Sequence, residues 1–375
     1  MRNIIVLADG TWISPTSGST GESHSNVYKL NLYLPTFYRG DAENETIDQL
    51  VLYEPGIGSK TQGFRYMGGL FAHGIDRLIE RLYINICSNF DFPSNIFMFG
   101  FSRGAVVARA LAGLISKCGV LRAEEIHAFP EIYRIYRKNG LEPSDKITLE
   151  KHCYLGVKIK FLGVFDTVYG GLHRGRTFRK HLHFASSELA LPSAVEFGAQ
   201  ILAMDEDRFL FRPLLWTSCD VQQRMVQCWM PGVHGDVGGT TGSSIGDAAL
   251  LTMINLANEH TSLFFAEDYR DTTFGSPDFH LRRLKSDVQR HLPNAKISRN
   301  RVWSRSPFRK LFKRKHGSRD ACLHPVAQYL NERVIEIDHR KQARYTIGNG
   351  FTNRDDVEPQ ATLLAKATTF MKGLA

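Results

Sequence analysis

The sequence predicts an α/β fold, a mostly parallel sheet with helices on both faces. Three observations carry this expectation. Short apolar runs recur along the chain and end in loops rich in Asp, Gly and Pro. Segments with helical spacing of apolar residues alternate with those runs. One run, "SNIFMFGFS" (94–102), is apolar almost throughout, as expected of a strand buried on both faces of a parallel sheet.

The elements follow in order. "NIIVLADG" reads as a first strand ending in Asp-Gly, and "DQLVLYEPGIGS" as a second ending in a Pro/Gly loop. "IDRLIERLYINICSNF" places Ile79, Leu82 and Ile86 on one helical face. After "SNIFMFGFS" comes a small-residue helix, "RGAVVARALAGLISKCG", closed by Gly119. "VKIKFLGVFDTV" and "RMVQCWMPGVHGDVGG" each begin as strands, and "GDAALLTMINLANEH" is helical. Alternating strands and helices suit right-handed crossovers in an open sheet. Two stretches read as helical cap insertions over one edge of the sheet, 120–152 and 170–215. The second opens with the basic loop "GGLHRGRTFRK" and continues as a helix over "SAVEFGAQILAMDEDRFLF". The whole of 1–375 is expected to be a single domain.

Composition narrows the class. Hydrophobic residues make up 43% and charged residues 23% of the 375, which allows a sizeable core. No apolar run approaches the ~20 residues of a membrane-spanning helix. The N-terminus lacks a signal-peptide cleavage pattern. The expected location is the cytoplasm as synthesised, and export by a signal-independent route is compatible with this. Six scattered cysteines without a C-x-x-C pair suggest reduced core residues, not a zinc site. The net charge of +9 is local: 299–319 holds nine Lys/Arg and no Asp/Glu, and the rest balances at 38 basic against 38 acidic residues.

Chemistry enters at Gly100-Phe101-Ser102-Arg103-Gly104. A Gly-x-Ser-x-Gly turn between a buried strand and a helix drives the serine into a sharp bend and sets the helix N-terminus beneath it. Ser102 is therefore a candidate nucleophile. Its base and the carboxylate that orients the base belong at the ends of later strands. Asp166 ends one strand 64 residues on, and His234 follows the next after another 68, the chain order of α/β-hydrolases. Asp236 is a rival orienter and His324, in "CLHPVAQYL", a rival base. Backbone N–H groups of Arg103 and of Gly10 or Thr11, in "LADGTW", are candidates for an oxyanion hole, with Asp9 binding substrate or bracing that loop. "YEPGIGSK" lacks the spacing of a phosphate-binding P-loop.

Seven segments together resemble a bacterial and fungal α/β-hydrolase family, long labelled a domain of unknown function, that includes type VI secretion phospholipase effectors. They are "LADGTW", "YEPGIGS", "GFSRGA", "GVFDTV", "MDEDRFLFRPLLW", "WMPGVHGDVGG" and "LHPVAQYL", in the family's order from residue 4 to about 330. The resemblance implies a catalytic Ser102, Asp166 and His234, and so favours Asp166 over Asp236. The chain departs from the family's commoner pattern at Ala8, at Gly235 and after Pro325. None of these changes removes a catalytic group.

The basic segment "RNRVWSRSPFRKLFKRKHGSR" sets Phe308, Leu311 and Phe312 at helical spacing among cations. That pattern suits an anionic membrane surface better than nucleic acid. The sequence thus predicts a serine esterase acting on a lipid or phospholipid acyl ester, with no metal and no cofactor. Two readings compete with it. One is a metal-dependent hydrolase using Asp9, Asp166, His234, Asp236 and His324. The other is a non-catalytic membrane- or nucleic-acid-binding protein on the same fold.

Overall fold

The computed structural model describes residues 2–10, 24–35, 37–39, 46–56, 69–168, 190–208, 211–266, 281–298, 321–337, 341–347 and 358–373. Thr11, the basic loop 170–180 and the basic segment with Phe308, Leu311 and Phe312 lie outside them.

The first half runs β1 (Arg2–Ala8), α1 (Asn26–Tyr33), β2 (Phe37–Arg39), β3 (Thr46–Glu54), α2 (Gly69–Asn89), β4 (Asn95–Phe101) and α3 (Arg103–Cys118). It continues through β5 (Val120–Leu121), α4 (Phe129–Tyr136), α5 (Pro143–His152), β6 (Cys153–Tyr154), β7 (Ile159–Phe165), β8 (Phe197–Ala203) and β9 (Arg224–Met230). The remainder comprises one helical turn, α6 (His234–Val237), then α7 (Ser244–His260), α8 (Leu281–His291), β10 (Lys296–Ile297), β11 (Cys322–Leu323), α9 (Pro325–Leu330), β12 (Val334–Ile337), β13 (Lys341–Arg344) and α10 (Glu358–Ala367). Among the described residues the central sheet has eight strands in the order β2-β3-β1-β4-β7-β8-β9-β11. Every neighbouring pair is parallel except β2 with β3.

The strands alternate their side chains between two apolar layers. Phe97, Phe99 and Phe101 of β4 join Ile5 and Leu7 of β1 on the face covered by α1, α7 and α8. Ile96 and Met98 join Ile4, Val6 and Ala8 on the opposite face, under α2, α3 and α4. A strand with both faces covered has no polar side, and β4 is buried at all its positions.

The structure corrects two expectations about the insertions. The segment predicted as a helix over 193–211 contains β8, a central strand between β7 and β9. Its residues Phe197, Ala199, Ile201 and Ala203 face one core layer. Ala, Gln, Leu and Met favour helix in isolation, but burial on both faces of the sheet overrides that preference. The region 170–215 is therefore not simply a cap. Residues 120–152 are largely helical, as expected. Phe129, Ile132, Ile135 and Leu149 pack into the layer formed by α2 and α3.

The β4–α3 junction positions the site. The chain passes from β1 to strands on one side of it and returns through β4 on the other. The carboxyl ends of β1 and β4 thus flank a topological switch point, where open α/β sheets place their ligands. Here α3 starts hard against the end of β1. A Cβ on Gly104 would stand 2.1 Å from the Ala8 carbonyl oxygen, and one on Gly100 would stand 2.6 Å from Ala105 Cα. Both contacts are with backbone that cannot swing away. Gly104→Ala is expected to destabilise the protein by about 3 kcal/mol or more. Gly113→Ala, in the same helix but with Tyr136 Oη at 3.4 Å as its nearest neighbour, is expected to stay within about 1 kcal/mol of the parent. Urea midpoints of the two variants check the contrast.

Candidate active site

Ser102 sits between β4 and α3 with φ 57° and ψ −120°. A left-handed φ is costly for a residue with a side chain and persists only where its surroundings enforce it. Here the enforcement is local. The Ser102 N–H donates to the Phe165 carbonyl at 3.1 Å, and the flanking glycines let α3 start without a clash.

Register brings the next group alongside. Phe101 of β4 pairs with Phe165 of β7, so Ser102 and Asp166 leave adjacent parallel strands at the same level. Asp166 also has a positive φ, 38°. Its N–H donates to the Ile201 carbonyl at 2.7 Å, and its Oδ1 accepts the Ala203 N–H at 3.0 Å. Asp166 Oδ2 lies 2.7 Å from His234 Nδ1, and His234 Nε2 lies 2.9 Å from Ser102 Oγ. With Asp166 ionised, Nδ1–H donates to the carboxylate and Nε2 accepts from the serine hydroxyl. All three residues are buried. Burial pulls the His234 pKa below its ordinary value, against the hydrogen bond and charge of Asp166 that raise it. The imidazole is therefore neutral at pH 7.

The ring is held on two sides. Phe101 stacks on it at a centroid distance of 4.7 Å, and Phe211 meets it edge-on at 4.9 Å. Glu206 accepts the His234 N–H at 3.2 Å and pairs with Arg208. Asn26, at the start of α1, donates its N–H to the Gly238 carbonyl and its Nδ2 to the carbonyls of Val237 and Gly246. It thus ties α1 to the turn that carries the histidine.

The sequence-predicted rivals have other occupations. Asp236 is wholly buried and accepts from the Val233 and Ser298 N–H groups and from Thr241 Oγ1. It fixes the turn, while Asp166 faces the imidazole. His324 caps α9: its Nδ1 accepts the Val326 N–H at 3.1 Å. That leaves the proton on Nε2, which donates to Thr252 Oγ1 at 3.0 Å. Burial drives its pKa down to about 3, so His324 is a neutral structural group. Asp9 accepts from Gly10 N–H at 2.7 Å, from Tyr53 Oη at 2.9 Å and from Ser25 Oγ. Burial pushes its carboxyl up to about 6 although these bonds favour the charged form. Asp9 therefore ties Gly10, just after β1, to Ser25 ahead of α1 and to Tyr53 of β3. The Gly10 N–H is committed to that carboxylate, contrary to an oxyanion role, whereas Arg103 N–H opens α3 next to Ser102.

The five residues of the metal-dependent reading do not gather. Among the described residues no group of three or more His, Cys, Asp or Glu side chains is arranged to hold a metal ion. Sequence reasoning missed Glu206, Arg208, Phe211 and Asn26. The one signal for the first three was their place in the family-like segment "MDEDRFLFRPLLW". Residues late in the chain also reach the site's loops. Tyr345 Oη donates to Asp205 Oδ2 at 3.1 Å, and that oxygen also accepts the Gly232 N–H at 2.6 Å.

The doubly covered parallel sheet, with its strand-to-helix serine turn, defines a protein of the α/β-hydrolase class. The chain belongs to the family described as "T6SS, Phospholipase effector Tle1-like, catalytic domain", whose model matches residues 2–256. It is similar to the uncharacterized protein YEL023C of Saccharomyces cerevisiae, with 29% identity over 244 residues covering 58% of this chain and 33% of that protein. The match thus spans about a third of the yeast protein's length. Among solved structures it is similar to the Tle1 effector bound to the VgrG spike from the type 6 secretion system, with 22% identity and a TM-score of 0.38 over 65% of this chain and 52% of that one. An uncharacterized protein from Pseudomonas aeruginosa matches with 16% identity and a TM-score of 0.45 over 78% of this chain and 53% of that one. The matched region is about half the length of each of these two structures. Among the described residues, no helix is long and apolar enough to cross a membrane.

His324→Asn replaces the capping Nδ1 with an amide oxygen that can accept the same N–H, but loses the bond to Thr252. It is expected to lower stability by about 1 kcal/mol and to leave the rate of Ser102 labelling by a fluorophosphonate unchanged. Thermal melts and labelling time courses check this.

Proposed function

We propose that this chain is a serine hydrolase that cleaves carboxylic esters, with phospholipid acyl esters as its substrate class. The observation that carries this reading is the continuous hydrogen-bonded path from Ser102 Oγ through His234 to Asp166, set at the carboxyl ends of adjacent parallel strands. Membership of a phospholipase effector family supports the lipid substrate.

In this mechanism His234 Nε2 takes the hydroxyl proton as Ser102 Oγ bonds to the ester carbonyl carbon. Asp166 holds the imidazole through Nδ1 and offsets the positive charge that forms. The oxyanion meets the Arg103 N–H and the positive end of α3. Collapse breaks the bond to the alcohol oxygen, which takes the proton from His234. A water molecule then gives a proton to Nε2 and attacks the acyl-enzyme, and the proton returns to Ser102 as the carboxylic acid leaves. The buried imidazole must be neutral to start, and burial favours that form. The segment 299–319, with Phe308, Leu311 and Phe312, would serve as the contact with an anionic membrane, on its sequence pattern alone.

Ser102→Ala is expected to abolish release of fatty acid from mixed phospholipid vesicles while leaving the circular dichroism spectrum unchanged. Asp166→Asn is expected to lower kcat by about 10⁴-fold. Activity that survives in Ser102→Ala would reject the mechanism. Activity lost to a chelator and restored by a divalent ion would favour the metal-dependent reading. Failure of a fluorophosphonate to label folded protein would favour a binding protein.

The pH dependence has a definite sign. Because the imidazole pKa lies below its ordinary value, kcat/KM should rise with pH through an inflection below about 6.5 and be flat at neutrality. An inflection above 7 on a soluble nitrophenyl ester would contradict the assignment of His234 as base.

A further inference from the structure

We propose, on the reading of Ser102 and His234 given above, that Glu206 and Arg208 act as one positioning unit for His234: the carboxylate fixes its backbone, and the guanidinium, through Phe211, fixes its ring. The contacts form a closed circuit. Glu206 Oε2 accepts the His234 N–H at 3.2 Å and Arg208 Nη2 at 2.8 Å. Glu206 Oε1 accepts the Arg208 N–H at 2.9 Å and Nε at 2.8 Å. The guanidinium carbon lies 3.4 Å from the centre of the Phe211 ring, whose edge meets the imidazole with the planes 71° apart. Phe101 closes the other face. Backbone and ring of one residue are thus held by the two members of one ion pair.

Such a pair is an expensive device if stability is its only purpose. The Glu206 side chain is fully buried and that of Arg208 is 20% exposed. Buried ion pairs seldom outperform apolar packing of the same volume. Fixing a group to within a fraction of an ångström is a better reason to keep one. His234 opens a single helical turn, so its own element gives it little support.

The pair also acts on the imidazole by charge. Asp166 and Glu206 favour its protonated form, and Arg208 opposes it. The nearby carboxylates of Asp236 and Asp205 are engaged by backbone donors and hydroxyls. With both members present, the charges of Glu206 and Arg208 work against each other at the ring. Removing one member must therefore move the proton affinity one way, and removing the other must move it back past the starting point. Signed shifts report the charge coupling, and a fall in kcat at unchanged charge reports the positioning.

The experiment is an NMR titration of ¹⁵N-histidine-labelled protein, with the His234 signals assigned by their loss in His234→Asn. It runs alongside the pH profile of kcat/KM on a short nitrophenyl ester. Glu206→Gln is expected to lower the His234 midpoint and Arg208→Gln to raise it. The kinetic inflection should follow each shift. Arg208→Lys keeps the charge but not the flat fork; its midpoint should stay near wild type while kcat falls about tenfold with KM little changed. Midpoints that stay put in both Gln variants, or that move in the same direction, overturn the proposal whatever the melting temperatures do. Should Glu206→Gln fail to fold, Arg208→Gln decides alone at its partly exposed position, and an unmoved midpoint is fatal. The two readings fail separately. An active Ser102→Ala removes the hydrolase mechanism while the NMR midpoints still report on the pair. Unmoved midpoints with Ser102-dependent activity remove only the positioning unit.

Discussion

The structure around the site depends on one backbone reversal, at Ser102. The chain leaves β4 in extended form and enters α3 within a residue, through a φ of 57°. For a serine this conformation costs free energy of order 1–3 kcal/mol, which neighbouring packing must offset. That packing is in place because two positions lack side chains. Gly104 lets the helix touch the carbonyl groups of Ala8 and Asp9, and Gly100 lets the strand pass beneath Ala105. The close approach points the serine away from the sheet and toward the switch point. It also brings the start of α3 into close backbone contact with the ends of β1 and β4.

Register does the rest of the placement. Neighbouring parallel strands end at matched levels, so residues that follow them gather along one rim without long-range adjustment. Ser102, Asp166, the 204–208 loop and His234 follow β4, β7, β8 and β9, which are consecutive neighbours in the sheet. The rim combines burial with opposed charges. Burial alone would strip the proton from the imidazole; Asp166 restores part of that affinity. The outcome is an imidazole biased toward its neutral form, with a carboxylate at its Nδ1.

Much of this was legible in the residues. β1, β4, α3, β7 and β9 each announce themselves as an apolar run or a helical spacing with a Gly or Asp terminus. The residues at the strand ends are the ones the structure brings into contact. What escaped has physical causes. β8 is an apolar run whose residue types favour helix, and only its neighbours in the sheet decide otherwise. β11 is two residues long and has no period to detect. Glu206 and Arg208 lie two apart in a polar stretch with no period of its own; the burial of the Glu206 side chain is a property of the folded rim. Asn26 resembles any polar residue at a helix start, and its three bonds to the histidine turn and α7 depend on a partner more than 200 residues away. The bond from Gly10 N–H to the adjacent Asp9 carboxylate is a local feature that spacing cannot reveal.

The ties from the late part of the chain reach beyond the region matched by the family. Ser298 anchors Asp236, and Tyr345 anchors Asp205, whose own partner Gly232 precedes the histidine turn. β11 completes one edge of the sheet beside β9. A fragment cut near residue 256 would keep Ser102, Asp166 and His234 and lose the braces that hold two of the loops beside them. Swapping modules between relatives at that boundary would therefore transplant the reagents without their mounting, and a working chimera needs its seam placed after Tyr345.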